Sequence, residues 1–182
     1  MKDAKYAITI PRAMAAMLIG AAVGTLVFLL ELATFVALEP YKFGEIASVA
    51  GTSNTQLILM FFGYVSAFFV GGVLIVGAPI WRLLHYFGRR NWFDSLCLGA
   101  VLSAAGFVLL SLLNPNWQGL SLISFLTEDF GGITAINDRL TEDGWSALFR
   151  GSIGIAVAGA AAGFAIWKVA YGASSRGEVT AV

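Results

Sequence analysis

Cysteine occurs once in this chain, at Cys97, and histidine once, at His85. One cysteine excludes an internal disulfide and any Cys-rich metal cluster, and with them a dithiol enzyme of the vitamin-K-reductase kind. One histidine excludes a b-type haem with two axial histidines from this chain and leaves no multi-His zinc site. Charge is scarce as well. Only 12% of the residues are charged, against roughly 25% in an ordinary soluble domain, and 11 basic side chains balance 11 acidic ones. No basic tail or patch offers itself to nucleic acid. Signatures of lipid enzymes and proteases are missing too. There is no Gly-x-Ser-x-Gly, no His-Glu-x-x-His, no pair of glutamates within an apolar run and no aspartate cluster to hold magnesium. The sequence therefore predicts no catalytic residue, no metal ligand and no cofactor.

Apolar residues, by contrast, make up 58% of the 182, and they come in runs too long for a soluble core. A hydrocarbon layer about 30 Å thick needs about 20 apolar residues at 1.5 Å rise. Four stretches qualify, at about 14–38, 56–80, 92–113 and 148–171. The first follows Pro11-Arg12 and ends at Glu39-Pro40, where proline tolerates a first turn and breaks a last one. It is longer than the apolar region of a signal peptide, about 7–15 residues, and reads as a retained helix. The second carries no ionisable group except Tyr64, with Pro79 near its end. The third starts at Asn91-Trp-Phe-Asp94 and ends at Asn114-Pro115. Asn91 can cap it, and Asp94 suits the positive end of its dipole. The fourth has Ser146 as its cap. The fold class expected is an all-α integral membrane protein, a single domain over 1–182 built as a four-transmembrane-helix bundle.

Lysine and arginine orient the bundle. Lys2, Lys5, Arg12, Arg82, Arg89, Arg90, Lys168 and Arg176 fall on one side, and Lys42, Arg139 and Arg150 on the other. The eight belong in the cytoplasm, with both termini and the tail 172–182. This matches a bacterial inner (plasma) membrane. The outer loop 114–147 is long for a structureless connection. An apolar run from Leu120 to Leu126 predicts a short helix or re-entrant segment over 119–130, and a second short helix is expected over 133–142. Its acids, Glu128-Asp129 and Glu142-Asp143, lack the spacing of a calcium loop and read as a solvated surface.

Small residues recur at helical spacing. Gly20 and Gly24 mark the first span, Gly63, Ala67 and Gly71 the second, and Gly154, Gly159 and Gly163 the fourth. Close backbone approach must supply the attraction between helices in lipid, so these faces are expected to touch other helices, within the chain or in an oligomer. Glu31 lies inside the first span, about 12–13 Å below the outer surface at 1.5 Å per residue. A carboxylate there costs a few kcal/mol unless neutral, paired or wet. Two readings stay open. One is a proton or cation site. The other is a structural carboxyl bonded to Thr34, Tyr64 or an arginine, with Arg150 the natural partner.

Four spans with one carboxylate in the first are similar in outline to the small multidrug resistance transporters. The long acidic outer loop, the charge bias and the extra length depart from that family, and no contiguous motif joins them. The functional expectation is a non-enzymatic membrane subunit or accessory protein. It would associate, helix on helix, with other membrane proteins or its own copies within the lipid bilayer. The alternative is a small proton- or cation-coupled transporter or channel subunit using Glu31.

Overall fold

The computed structural model describes residues 9–38, 40, 41, 44, 48, 51, 53–88, 91–113, 135–136 and 139–172. Four helices in it are long and apolar enough to cross a membrane: α1 (Ile10–Leu38), α2 (Asn54–Tyr86), α3 (Trp92–Leu113) and α4 (Glu142–Tyr171). The stretch 119–130, where a short helix was expected, lies outside the described residues. The second expected short helix, over 133–142, does not form. Ala135–Ile136 and Arg139–Leu140 pair antiparallel instead, with Ala135 opposite Leu140, and α4 begins at Glu142. Thr141 and Glu142-Asp143 explain why. The Thr141 hydroxyl accepts from the Gly144 N–H at 3.1 Å, and two acids occupy the first turn, where they complement the helix dipole. Thr141, not Ser146, is thus the cap.

The start of α2 has a similar local cause. Ser53 and Gln56 form a reciprocal capping box: the Gln56 N–H donates to Ser53 Oγ at 3.2 Å, and the Ser53 N–H donates to Gln56 Oε1 at 3.0 Å. At its far end Gly88 takes a left-handed φ of 71° and its N–H donates to the His85 carbonyl, a termination that favours glycine. Between these ends α2 widens. Val73–Gly77 forms a π turn, in which the Ala78 N–H donates to the Val73 carbonyl. Pro79 follows at once. Proline has no N–H to donate and its ring crowds the carbonyl four residues back. The wide turn accommodates it, and the helix continues to Tyr86.

Helix α4 runs antiparallel to α1 and to α3 and is central. It packs along α3 most extensively and along α1 next, while α2 rests mainly on α1 and barely meets α3. The reason is glycine. A Cβ placed on Gly99 would collide with the Gly159 carbonyl; one on Gly163 would collide with the Ser95 carbonyl, and one on Gly159 with Ser103 and the Gly99 carbonyl. The two backbones therefore touch, a geometry suited to weak Cα–H···O contacts. On α1, a Cβ on Gly20 would strike Ile166, and one on Gly24 would stand 2.6 Å from the Phe69 ring. Two apolar clusters complete the packing. Phe28, Phe69, Phe107, Leu148 and Ile155 fill the middle and the Arg150 end. Ala16, Met17, Ile166 and Ala170 fill the Arg12 end.

Candidate functional site

Among the described residues, three arrangements bring polar groups or unfilled space together. The first is a seam between α1 and α4. Glu31 Oε2 would lie 2.8 Å from a Cβ on Gly154, so the missing side chain of Gly154 is the space the carboxylate occupies. Arg150 stands one turn from Gly154 on the same face of α4, which places Glu31 and Arg150 on one seam. Glu31 keeps an exposed side chain there. Thr34 does not turn to it: its hydroxyl donates to the Leu30 carbonyl at 2.8 Å, within α1. Tyr64 is half exposed on α2, and no hydrogen bond among the described residues joins it to Glu31.

The second is a latch at the Arg12 end. Trp81 and Tyr171 each stack on His85 with ring centroids 6.0 Å apart, and they tilt against one another at 6.1 Å. His85 Nδ1 and the Tyr171 hydroxyl are hydrogen-bonded at 2.9 Å. Arg12 Nε donates to the Val169 carbonyl at 2.9 Å, which satisfies one of the acceptors that the last turn of a helix leaves open. The spacing of Trp81 and His85, four apart on one helix face, was the available signal. Tyr171, at the same depth on α4, could not be matched to them without the packing.

The third is a groove between α2 and α3, floored by α4. It encloses about 600 Å³, and its wall is almost wholly apolar. Gly71, Val76 and Trp81 line it from α2, Leu102 and Gly106 from α3, and Gly163 from α4. It exists because α2 leans on α1 and leaves α3 unpartnered on that side. A Cβ on Gly71 would meet nothing within 4 Å, and one on Gly63, nearer the other end of α2, would also stand in open space. The expected helix-contact glycines therefore divide. Gly20, Gly24, Gly159 and Gly163 pack inside the chain, Gly154 holds a carboxylate, and a Cβ on Gly63 or Gly71 would meet none of the described residues.

Among the described residues, no three His, Cys, Asp or Glu side chains gather where a metal ion would be held. Cys97, in α3, is half-buried and free. The chain matches no known protein family, and no curated protein or solved structure is significantly similar to it.

Proposed function

We propose that this protein is a non-enzymatic membrane subunit that works by presenting α2 to another membrane protein or to a second copy of itself. One observation carries the reading. Gly63 and Gly71, with Ala67 between them, repeat the spacing that elsewhere in the chain lets helices touch, yet on α2 the glycines face open space. Lipid tails are as apolar as leucine, so a stripe of small residues gains nothing from facing them, whereas a second helix can approach it closely. The eight-to-three distribution of Lys and Arg supports cytoplasmic termini in a plasma or inner membrane. A reporter fused at Val182 that is active outside the cell would overturn that orientation.

The test of association is purification in mild detergent, followed by mass spectrometry of whatever co-elutes. Wild type should run as an assembly larger than one chain, and Gly63→Leu should run as a folded monomer. A wild type that is monomeric in both detergent and lipid nanodiscs, with nothing bound, overturns the reading.

A second reading has its own support. Glu31 sets a carboxylate against Gly154 within a helix long and apolar enough to cross a membrane, as a proton- or cation-coupled transporter or channel subunit would use it. A proton or cation flux in proteoliposomes that Glu31→Gln abolishes, with assembly intact, is the result that favours it.

A further inference from the structure

We propose that the ligand of Glu31 is a proton and not a metal ion, taken up and released by the carboxyl where α1 meets Gly154 of α4. This deepens the second reading of function and rests on it only for the use made of the proton.

Depth sets the problem. Trp145 and Trp167 both stand on α4, about 33 Å apart at 1.5 Å per residue. That spacing matches the roughly 30 Å of hydrocarbon, and tryptophan favours its two boundaries. Gly154 lies between them, about 13.5 Å in from Trp145. Glu31 Oε2 stands 2.8 Å from where a Cβ on Gly154 would be, so the carboxyl sits at that depth. An ionised carboxylate is costly there, and a proton removes the charge outright.

Ligand count separates the proton from a metal ion. A calcium ion takes about 6–8 oxygens and a magnesium ion about six. One carboxyl supplies two. The nearby Thr34 hydroxyl is bonded to the Leu30 carbonyl, and the main chain at Gly154 is committed to the interior of α4. From α2, no hydrogen bond among the described residues brings Tyr64 to Glu31. The acids of α4, Glu142 and Asp143, occupy its first turn, about 16–18 Å outward of Gly154. Among the described residues, no three His, Cys, Asp or Glu side chains gather as a metal site. The charged group of α4 nearest this level is Arg150, one turn outward on the same face, and a guanidinium repels a cation. Neither an ion pair nor a hydrogen bond reaches the Glu31 carboxylate from the described residues. A proton needs one oxygen and leaves a neutral group, which this seam can hold without further ligands.

Labelling with dicyclohexylcarbodiimide, an apolar reagent that enters the bilayer, tests this on the full chain in lipid nanodiscs. The reagent adds to a protonated carboxyl. The acid proton moves to one nitrogen and the carboxyl oxygen bonds to the central carbon. The acyl group then shifts from oxygen to nitrogen, giving a stable N-acylurea from which nothing has left. Peptide mass spectrometry should place the adduct on Glu31, with labelling falling about tenfold per pH unit above the carboxyl's midpoint. Glu31→Gln should carry none at that position. Sodium, potassium and calcium, each added at fixed pH, should leave the extent unchanged. Protection of Glu31 by any of the three overturns the proposal in favour of a metal-ion site. So does an extent that does not change with pH, or the absence of any adduct. Labelling that appears only in Arg150→Gln overturns it too, because the arginine then holds the carboxylate charged. The flux assay fails separately. Labelling that follows pH without flux retires the transporter reading and keeps the proton site, whereas flux with cation protection keeps that reading and sinks this one.

Discussion

The α3–α4 seam and the open face of α2 carry the same residue pattern and use it in opposite ways. At the seam, Gly99, Gly159 and Gly163 bring two backbones into contact, so any side chain there has to displace a main chain. On α2, Gly63 and Gly71 lie in helix of the same kind and displace nothing. Glycine in a helix interior lowers helix stability by roughly 1 kcal/mol relative to alanine. At the seam that cost is offset by packing within the chain. On α2 nothing among the described residues offsets it, which is the physical content of proposing α2 as a surface for a partner.

The largest expected effect breaks the seam. Gly159→Leu drives a side chain into Ser103 and the Gly99 backbone, and overpacking of this kind costs about 1–3 kcal/mol and more where a main chain must move. The variant should lose thermal stability sharply in detergent, while Leu110→Ile, a swap on an exposed position of α3, should leave it unchanged. Equal melting of the two variants would mean that α3 and α4 do not meet at Gly159.

A middle-sized effect belongs to the α1–α4 seam at its polar level. If Glu31 and Arg150 compensate one another, each single change, Glu31→Gln or Arg150→Gln, should destabilise the protein. The double change should then recover part of the loss, because an uncompensated charge is removed with its partner. Strict additivity in the thermal shifts would dissolve the pair and leave Glu31 as a site for a proton or a cation.

The smallest effect sharpens the contrast between filled and unfilled space. Ser111 is fully buried in α3, and among the described residues its hydroxyl has no hydrogen-bond partner. An unsatisfied buried hydroxyl costs about 1–3 kcal/mol, and removing it returns that cost less the loss of packing. Ser111→Ala should therefore melt at the wild-type temperature or slightly above it. A clear loss of stability would reveal a partner for the hydroxyl.

What the sequence made legible was the set of spans, because a bilayer imposes length and apolarity on every crossing helix. Their ends were less legible. Apolar runs mark where a helix enters hydrocarbon, and both Ser53–Gln56 and Thr141 start their helices in polar residues ahead of that point. The Ser-x-x-Gln spacing was there to be read as a capping box. The expected short helix over 133–142 gave way to a two-residue antiparallel pairing, since Thr141-Glu142-Asp143 is a helix start and not a helix interior. Among the site residues, the sequence indicated that Glu31 needed an accommodation, and the structure supplies Gly154 as the space for it. Which glycines would be consumed inside the chain was not legible at all. Gly20 and Gly63 look alike until the helix axes are known.

The π turn at Val73–Gly77 has one more consequence, for how this chain tolerates insertion and deletion. A π turn amounts to one residue more than a regular helix of the same rise needs, and one residue of helix turns the chain by about 100°. The two halves of α2 are thus out of phase by about a quarter-turn, and that offset is what brings Trp81 and His85 round to Tyr171 while Phe61, Val65 and Phe69 still face inward. Removing a single residue from 73–77 would give a more regular helix of equal hydropathy, one that still spans the bilayer. It would also swing the His85 end away from Tyr171, so the defect in the helix acts as a spacer that sets the phase between its two ends.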